Sequence, residues 1–120
     1  MRVVTRREPP EIRWSAVLIG GAVAFGAALL LSYALGSGLS AVAATGAVAA
    51  GSLVAGRLAR SAGPLHGGLV AVFWIVAEAL SDPLVTSSPD VAGDTARTVL
   101  ADAVSLLVGV AAGWVGSRLR

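Results

Sequence analysis

The chain has 120 residues, of which 56% are apolar and only 13% are charged, and its mean hydropathy is +0.82. A soluble domain carries about 25% charged residues, so this chain has too little charge to cover an apolar core in water. Cysteine is absent, which excludes disulfides and thiolate sites. The net charge is +2, but the sequence has no basic stripe or aromatic platform that would predict nucleic-acid binding.

Four apolar segments follow one another along the chain, and each is predicted to be a transmembrane helix. They span residues 14–35, 39–56, 64–80 and 98–115. The first contains no charge and is long enough to cross a hydrocarbon core of about 30 Å. We therefore predict an all-α fold: one polytopic membrane domain, 1–120, in which residues 1–13 form an N-terminal segment ahead of the first helix.

The connections predict that the four helices form two hairpins. The sequence GSG at 36–38 is a very tight turn between the first two helices. Residues 81–97, SDPLVTSSPDVAGDTAR, are rich in Ser, Pro, Asp and Gly and predict an exposed loop between the last two helices. A cleaved signal peptide is the alternative for the N-terminus, but its apolar region has about 7–15 residues. The first apolar segment is longer, so we predict that it is retained as a helix.

The arginines predict the orientation in the membrane. With four crossings, eight of the nine basic residues fall on one side: Arg2, Arg6, Arg7, Arg13, Arg57, Arg60, Arg118 and Arg120. By the positive-inside rule, both termini and the turn near 57–64 are cytoplasmic, and 81–97 is external. Trp14 and Trp114 then lie at the inner rim, whereas Trp74 falls mid-span and must pack inside the bundle or face lipid tails.

Short echoes suggest an internal repeat. LIGGAVA at 18–24 resembles LHGGLVA at 65–71, and VAGRLAR at 54–60 resembles VGSRLR at 115–120. Both halves start inside, so a duplication would be a parallel repeat with an insertion in the second outer loop. Chance matching in a Gly- and Ala-rich chain is the alternative.

Small residues predict where the helices pack, because helices in lipid associate through close backbone approach. The predicted packing positions on the third and fourth helices are Gly67, Ala71, Gly109, Gly113 and Gly116. Ala22 and Gly26 have the same spacing on the first helix. The second helix is small on nearly every face, which predicts a central position.

One stretch carries a family resemblance. AGRLARSAGPLHGGLVA, residues 55–71, is similar to the central loop of small uncharacterised four-helix integral membrane protein families of bacteria and archaea, and RWSAVLIGG at 13–21 also resembles theirs. The resemblance implies a polytopic prokaryotic membrane protein, and we expect its location to be the cytoplasmic membrane. It implies no catalytic or ligand-binding residue.

Two acidic residues lie within the predicted spans, and we predict that they form an intramembrane carboxyl pair. Glu78 lies about 21 Å along the third helix and Asp102 about 24 Å from the inner end of the fourth, so their depths agree. A carboxylate facing lipid is costly, and two adjacent ones favour a shared proton or a bound cation. In the alternative, the fourth helix starts later and Asp102 is a solvated first-turn residue.

The basic end has a second predicted role besides topology. Contacts with lipid head groups are expected for Arg13, Arg57, Arg60, His66, Arg118 and Arg120. For His66 we expect an interfacial ring that is hydrogen-bonded to a head group or to an open backbone carbonyl. A gating or pH-sensing role is the alternative.

No motif in the chain predicts catalysis. There is one histidine, and no phosphate-binding loop, metal-ligand set or catalytic triad can be placed. We therefore expect no enzyme activity, no cofactor and no metal. The predicted partners are the lipid bilayer and further copies or other subunits of a membrane complex. The predicted function is a structural or accessory subunit or homo-oligomer; the alternative is a small transporter or ion-conducting oligomer that uses Glu78 and Asp102.

Overall fold

A computed structural model of the chain describes residues 9–36, 38, 40–81 and 91–119, and its regular structure in these ranges is entirely helical. The four helices are α1 Trp14–Leu35, α2 Ser40–Ala59, α3 Gly63–Ser81 and α4 Val91–Arg118. Each is long and apolar enough to cross a membrane. The predicted all-α fold with four potential spans is confirmed at this level.

The helix ends agree with the predicted spans to within a few residues, except at the start of α4. This helix begins at Val91, so residues 91–97, which were predicted to be part of a loop, are helical. The sequence Pro-Asp at 89–90 is a typical helix-start signal. Gly93 costs about 1 kcal/mol relative to Ala, which a helix of 28 residues tolerates. Residues 1–8, 37, 39, 82–90 and 120 lie outside the described residues.

The central pair of helices is α2 and α3. Each of them contacts the three other helices, whereas α1 and α4 do not contact each other in the described ranges. The central position predicted for α2 is confirmed. The central position of α3 could not be predicted from composition, because α3 carries large side chains such as Phe73 and Trp74 beside its glycines.

The close contacts pair the first half of α1 with the second half of α2, and the first half of α3 with the second half of α4. Positions early in α1 approach positions late in α2, so that Gly20 meets Ala55 and Ala24 meets Gly51. The α3–α4 contact has the same sense, because Gly67 meets Gly113 at the arginine end.

Burial is concentrated toward the end of the bundle that carries the arginines. Among the described side chains, α1 buries none after Ala24, α3 none after Trp74, and α4 none before Ser105. At the opposite end, which we call the open end, α2 alone keeps buried residues close to its terminus, beginning at Ala43. Large apolar side chains are exposed along the outside of the bundle, including Leu29 at 73% and Leu107 at 72%. A surface of this kind fits a lipid environment.

Candidate functional site

The predicted packing positions of α3 and α4 form a close backbone contact. A Cβ atom added at Gly67 would overlap the carbonyl oxygen of Gly109, and one added at Gly113 would overlap that of Gly63. A Cβ added at Gly109 would lie 2.7 Å from the Cβ of Ala71. Only hydrogen fits at these glycine positions, so the small side chains set the distance between the two helices.

The helix α2 packs against α4 next to this contact. A Cβ on Gly56 would overlap the carbonyl of Gly113, and a Cβ on Gly116 would overlap that of Leu53. The fully buried Ser52 donates a hydrogen bond from Oγ to the carbonyl oxygen of Gly67, 3.1 Å away. Sequence analysis missed Ser52, although a serine in a small-residue membrane helix is a usual source of such interhelical bonds.

On α1 the packing residues differ from those expected. Ala22 and Gly26 are both exposed, and a Cβ on Gly26 would meet nothing within 4 Å, so their predicted packing role within the chain is wrong. The buried face of α1 consists instead of Ala16, Val17, Gly20, Gly21 and Ala24. At 100° per residue, positions 22 and 26 point away from that face.

The open end brings the two predicted carboxyl groups to one cavity. We call this cavity the carboxylate groove; its volume is about 370 Å³, and it lies between α3, α4 and the middle of α1. Its lining residues are Phe25, Trp74, Ile75, Ala77, Glu78, Ala79, Thr98, Ala101 and Asp102. The side chain of Glu78 is exposed and that of Asp102 is half-buried.

The position of Asp102 within its helix excludes the first-turn alternative. Because α4 begins at Val91, Asp102 lies about three turns inside the helix. The N-terminal end of the helix dipole, which acts within the first turn, therefore does not explain this carboxyl group.

Aromatic rings border the groove on the side of the core. Trp74 is 7% exposed and packs inside the bundle, which decides between the two positions left open for it. Its ring centroid lies 5.3 Å from that of Phe25, and Phe25 meets Phe73 edge-on at 6.3 Å. The indole Nε1 of Trp74 is buried and has no hydrogen-bond partner within the described structure.

A second cavity places a positive charge near Glu78. This cavity, of about 420 Å³, is lined by Ser40, Ala41, Ala44, Thr45, Glu78, Arg97, Leu100, Ala101, Val104 and Ser105. Sequence analysis assigned Arg97 to the external loop and therefore missed it. The helix-start signal at 89–90 could have identified it, since a helix from residue 91 carries Arg97 into the bundle's open end.

At the arginine end, His66 joins two helices. The backbone N–H of Arg13 donates to Nε2 of His66 at 2.9 Å, so Nδ1 carries the ring proton and donates to the carbonyl oxygen of Ala62, also at 2.9 Å. The ring is 0% exposed. Of the two expected partners, the backbone carbonyl is therefore the one observed, and the ring has no free surface for a lipid head group.

The arginines at this end separate into two groups. Arg13, Arg57 and Arg60 line one cavity of about 700 Å³, together with Leu58, Ser117 and Leu119. The guanidinium of Arg118 instead lies over the Trp114 ring, 4.6 Å from its centroid, a geometry that stabilises both side chains by cation–π attraction.

Metal ligands are sparse in the described ranges, where no group of three or more His, Cys, Asp or Glu side chains comes together. Comparison with protein families, curated proteins and solved structures finds no match to this chain. The resemblance of residues 55–71 to small four-helix families therefore stays a prediction.

Proposed function

We propose that this protein is a multi-pass membrane protein that works as a structural or accessory subunit, joining further copies of itself or an unlike membrane protein through the carboxylate groove. In the proposed orientation, the arginine end faces the cytoplasm and the groove lies in the outer part of the bilayer. The distribution of arginines supports this orientation.

The observation that carries the proposal is the presence of polar and acidic side chains in the carboxylate groove at the open end. Glu78 and Thr98 are exposed and Asp102 is half-buried, although all three lie within helices of membrane-spanning length. Ionisable groups in a membrane almost always face a protein interior or water. A second protein surface over the groove would cover these polar side chains and keep them away from lipid.

The chain provides a matched pair of positions to test this proposal in membranes. Thr98 lines the groove, whereas Leu107 is 72% exposed and lies about 180° around α4 from Thr98. A photo-crosslinking amino acid placed at either position reports whether protein or lipid lies against it.

We expect crosslinks to protein from position 98 and to lipid from position 107. An adduct of twice the chain's mass identifies a homo-oligomer, and a different mass identifies an unlike subunit. Lipid adducts alone at position 98, from a variant that keeps its helical content, would contradict the proposal.

A second candidate function, ion or proton transport by an oligomer, is favoured by one observation: Glu78 and Asp102 line the same cavity. Paired carboxyl groups in a membrane hold a proton or a cation more readily than single ones. Reconstituted protein should then dissipate an imposed pH or cation gradient across liposomes. Asp102→Asn should abolish this flux. Thr95→Ala should not, because Thr95 lines neither the carboxylate groove nor the cavity shared by Glu78 and Arg97.

A further inference from the structure

We propose that Arg13, Arg57 and Arg60 form a binding site for a phosphate group at the arginine end of the bundle. The cavity that they line has a volume of about 700 Å³, which lies within the range of ordinary ligand pockets.

The three arginines come from two segments of the chain that are distant in sequence. Arg13 precedes α1, Arg57 lies in the last turn of α2, and Arg60 follows that helix. Each guanidinium offers a planar set of donors that matches two oxygens of a phosphate group, which a lysine ammonium does not.

The backbone holds two of these arginines in position. The N–H of Arg13 is bound to the buried ring of His66, which ties the start of α1 to α3. Arg60 has a φ of 57°, a left-handed conformation uncommon outside glycine. Its N–H also donates to the carbonyl of Gly56, at 3.2 Å. The cavity is therefore shaped by the turn itself and does not depend only on mobile side chains.

The remaining lining residues suit a ligand that has both polar and apolar parts. Ser117 is partly buried, whereas Leu58 and Leu119 are 42% and 46% exposed. An anionic phospholipid would place its phosphate among the arginines and its glycerol and acyl carbons along the leucines. A soluble phosphate compound would use the arginines alone. The phosphate chemistry is common to both sources.

The test compares an Arg57→Gln/Arg60→Gln variant with Arg118→Gln, which removes a basic residue from the same end but outside the cavity. Native mass spectrometry of protein from mixed phosphatidylcholine and phosphatidylglycerol bilayers counts the lipids that stay bound. Thermal unfolding with and without inorganic phosphate tests the soluble source. Circular dichroism verifies that each variant keeps its helical content.

Preferential retention of phosphatidylglycerol by the wild type, weakened roughly fivefold for each arginine removed, supports a lipid head group. Stabilisation of the wild type by inorganic phosphate, without lipid preference and absent from the double variant, supports a soluble ligand. If neither probe binds preferentially, or if Arg118→Gln weakens binding by as large a factor as the double variant does for each arginine removed, the proposal is overturned.

Discussion

The backbone N–H of Arg13 donates a hydrogen bond to Nε2 of His66, and this 2.9 Å contact ties the first residue before α1 to the start of α3. The other ring nitrogen is bonded to Ala62, where the chain turns at a φ of 52°. One buried imidazole thus satisfies a donor at a helix start and a carbonyl at a strained turn. His66 therefore connects the start of α1 to the turn before α3 at the arginine end.

We expect His66→Leu to lower the free energy of unfolding by about 1–3 kcal/mol, because it removes both hydrogen bonds while keeping an apolar volume. His66→Gln should lose less, since its amide oxygen can still accept from Arg13. Thermal unfolding in mild detergent, followed by circular dichroism, measures the difference. Equal losses from the two variants would show that volume, not hydrogen bonding, is what the site requires.

The close contact of α3 and α4 gives a prediction with an internal control. A methyl group on Gly113 would overlap the carbonyl of Gly63 and lie 2.8 Å from the Cα of Gly67. Gly113→Ala should therefore destabilise the bundle by roughly 1–3 kcal/mol. Gly26→Ala makes the same chemical change where nothing lies within 4 Å, and it should leave stability unchanged or slightly higher. A similar response of both variants would argue against this packing.

Membrane orientation can be tested by reporter fusions. Fusions after residues 60 and 120 should report a cytoplasmic location, and a fusion near residue 90 an external one, because the positive-inside rule assigns the arginine-rich side to the cytoplasm. A reporter that is active only in the cytoplasm and one that is active only outside should give opposite patterns. A cytoplasmic signal at residue 90 would rule out four crossings in this orientation.

The carboxyl pair can be tested by cysteine cross-linking, because the chain has no cysteine of its own. We expect Glu78→Cys/Asp102→Cys to form a disulfide under mild oxidation, since both positions line the carboxylate groove. Glu78→Cys/Leu107→Cys is the control: position 107 lies about 140° around α4 from position 102. If the first pair fails to cross-link in a protein that keeps its thermal stability, the carboxyl pair does not exist.

Apolar length and small-residue spacing by themselves determined the four helices and much of their packing. Within a membrane, the backbone N–H and C=O groups of a run of some twenty apolar residues need hydrogen-bond partners inside the protein, and a helix provides them within the segment itself. The helix α1 accordingly agrees with its predicted bounds at both ends. Glycines four residues apart leave a groove that favours close packing, and Gly109 and Gly113 lie at such a contact. Apolar length and residue spacing are local properties of the sequence, so they can be recognised without knowledge of the fold.

Only the tertiary structure decided which polar groups meet. The ring of His66 reaches a residue 53 positions away in the chain, and Arg13 joins Arg57 and Arg60 around one cavity while Arg118 stacks on Trp114. Spacing along one helix sets the face of a side chain, but it does not set which helix that face meets. Ala22 and Gly26 have the packing spacing but are exposed in the described structure, because the rotation of α1 is set by the fit of Gly20 against α2.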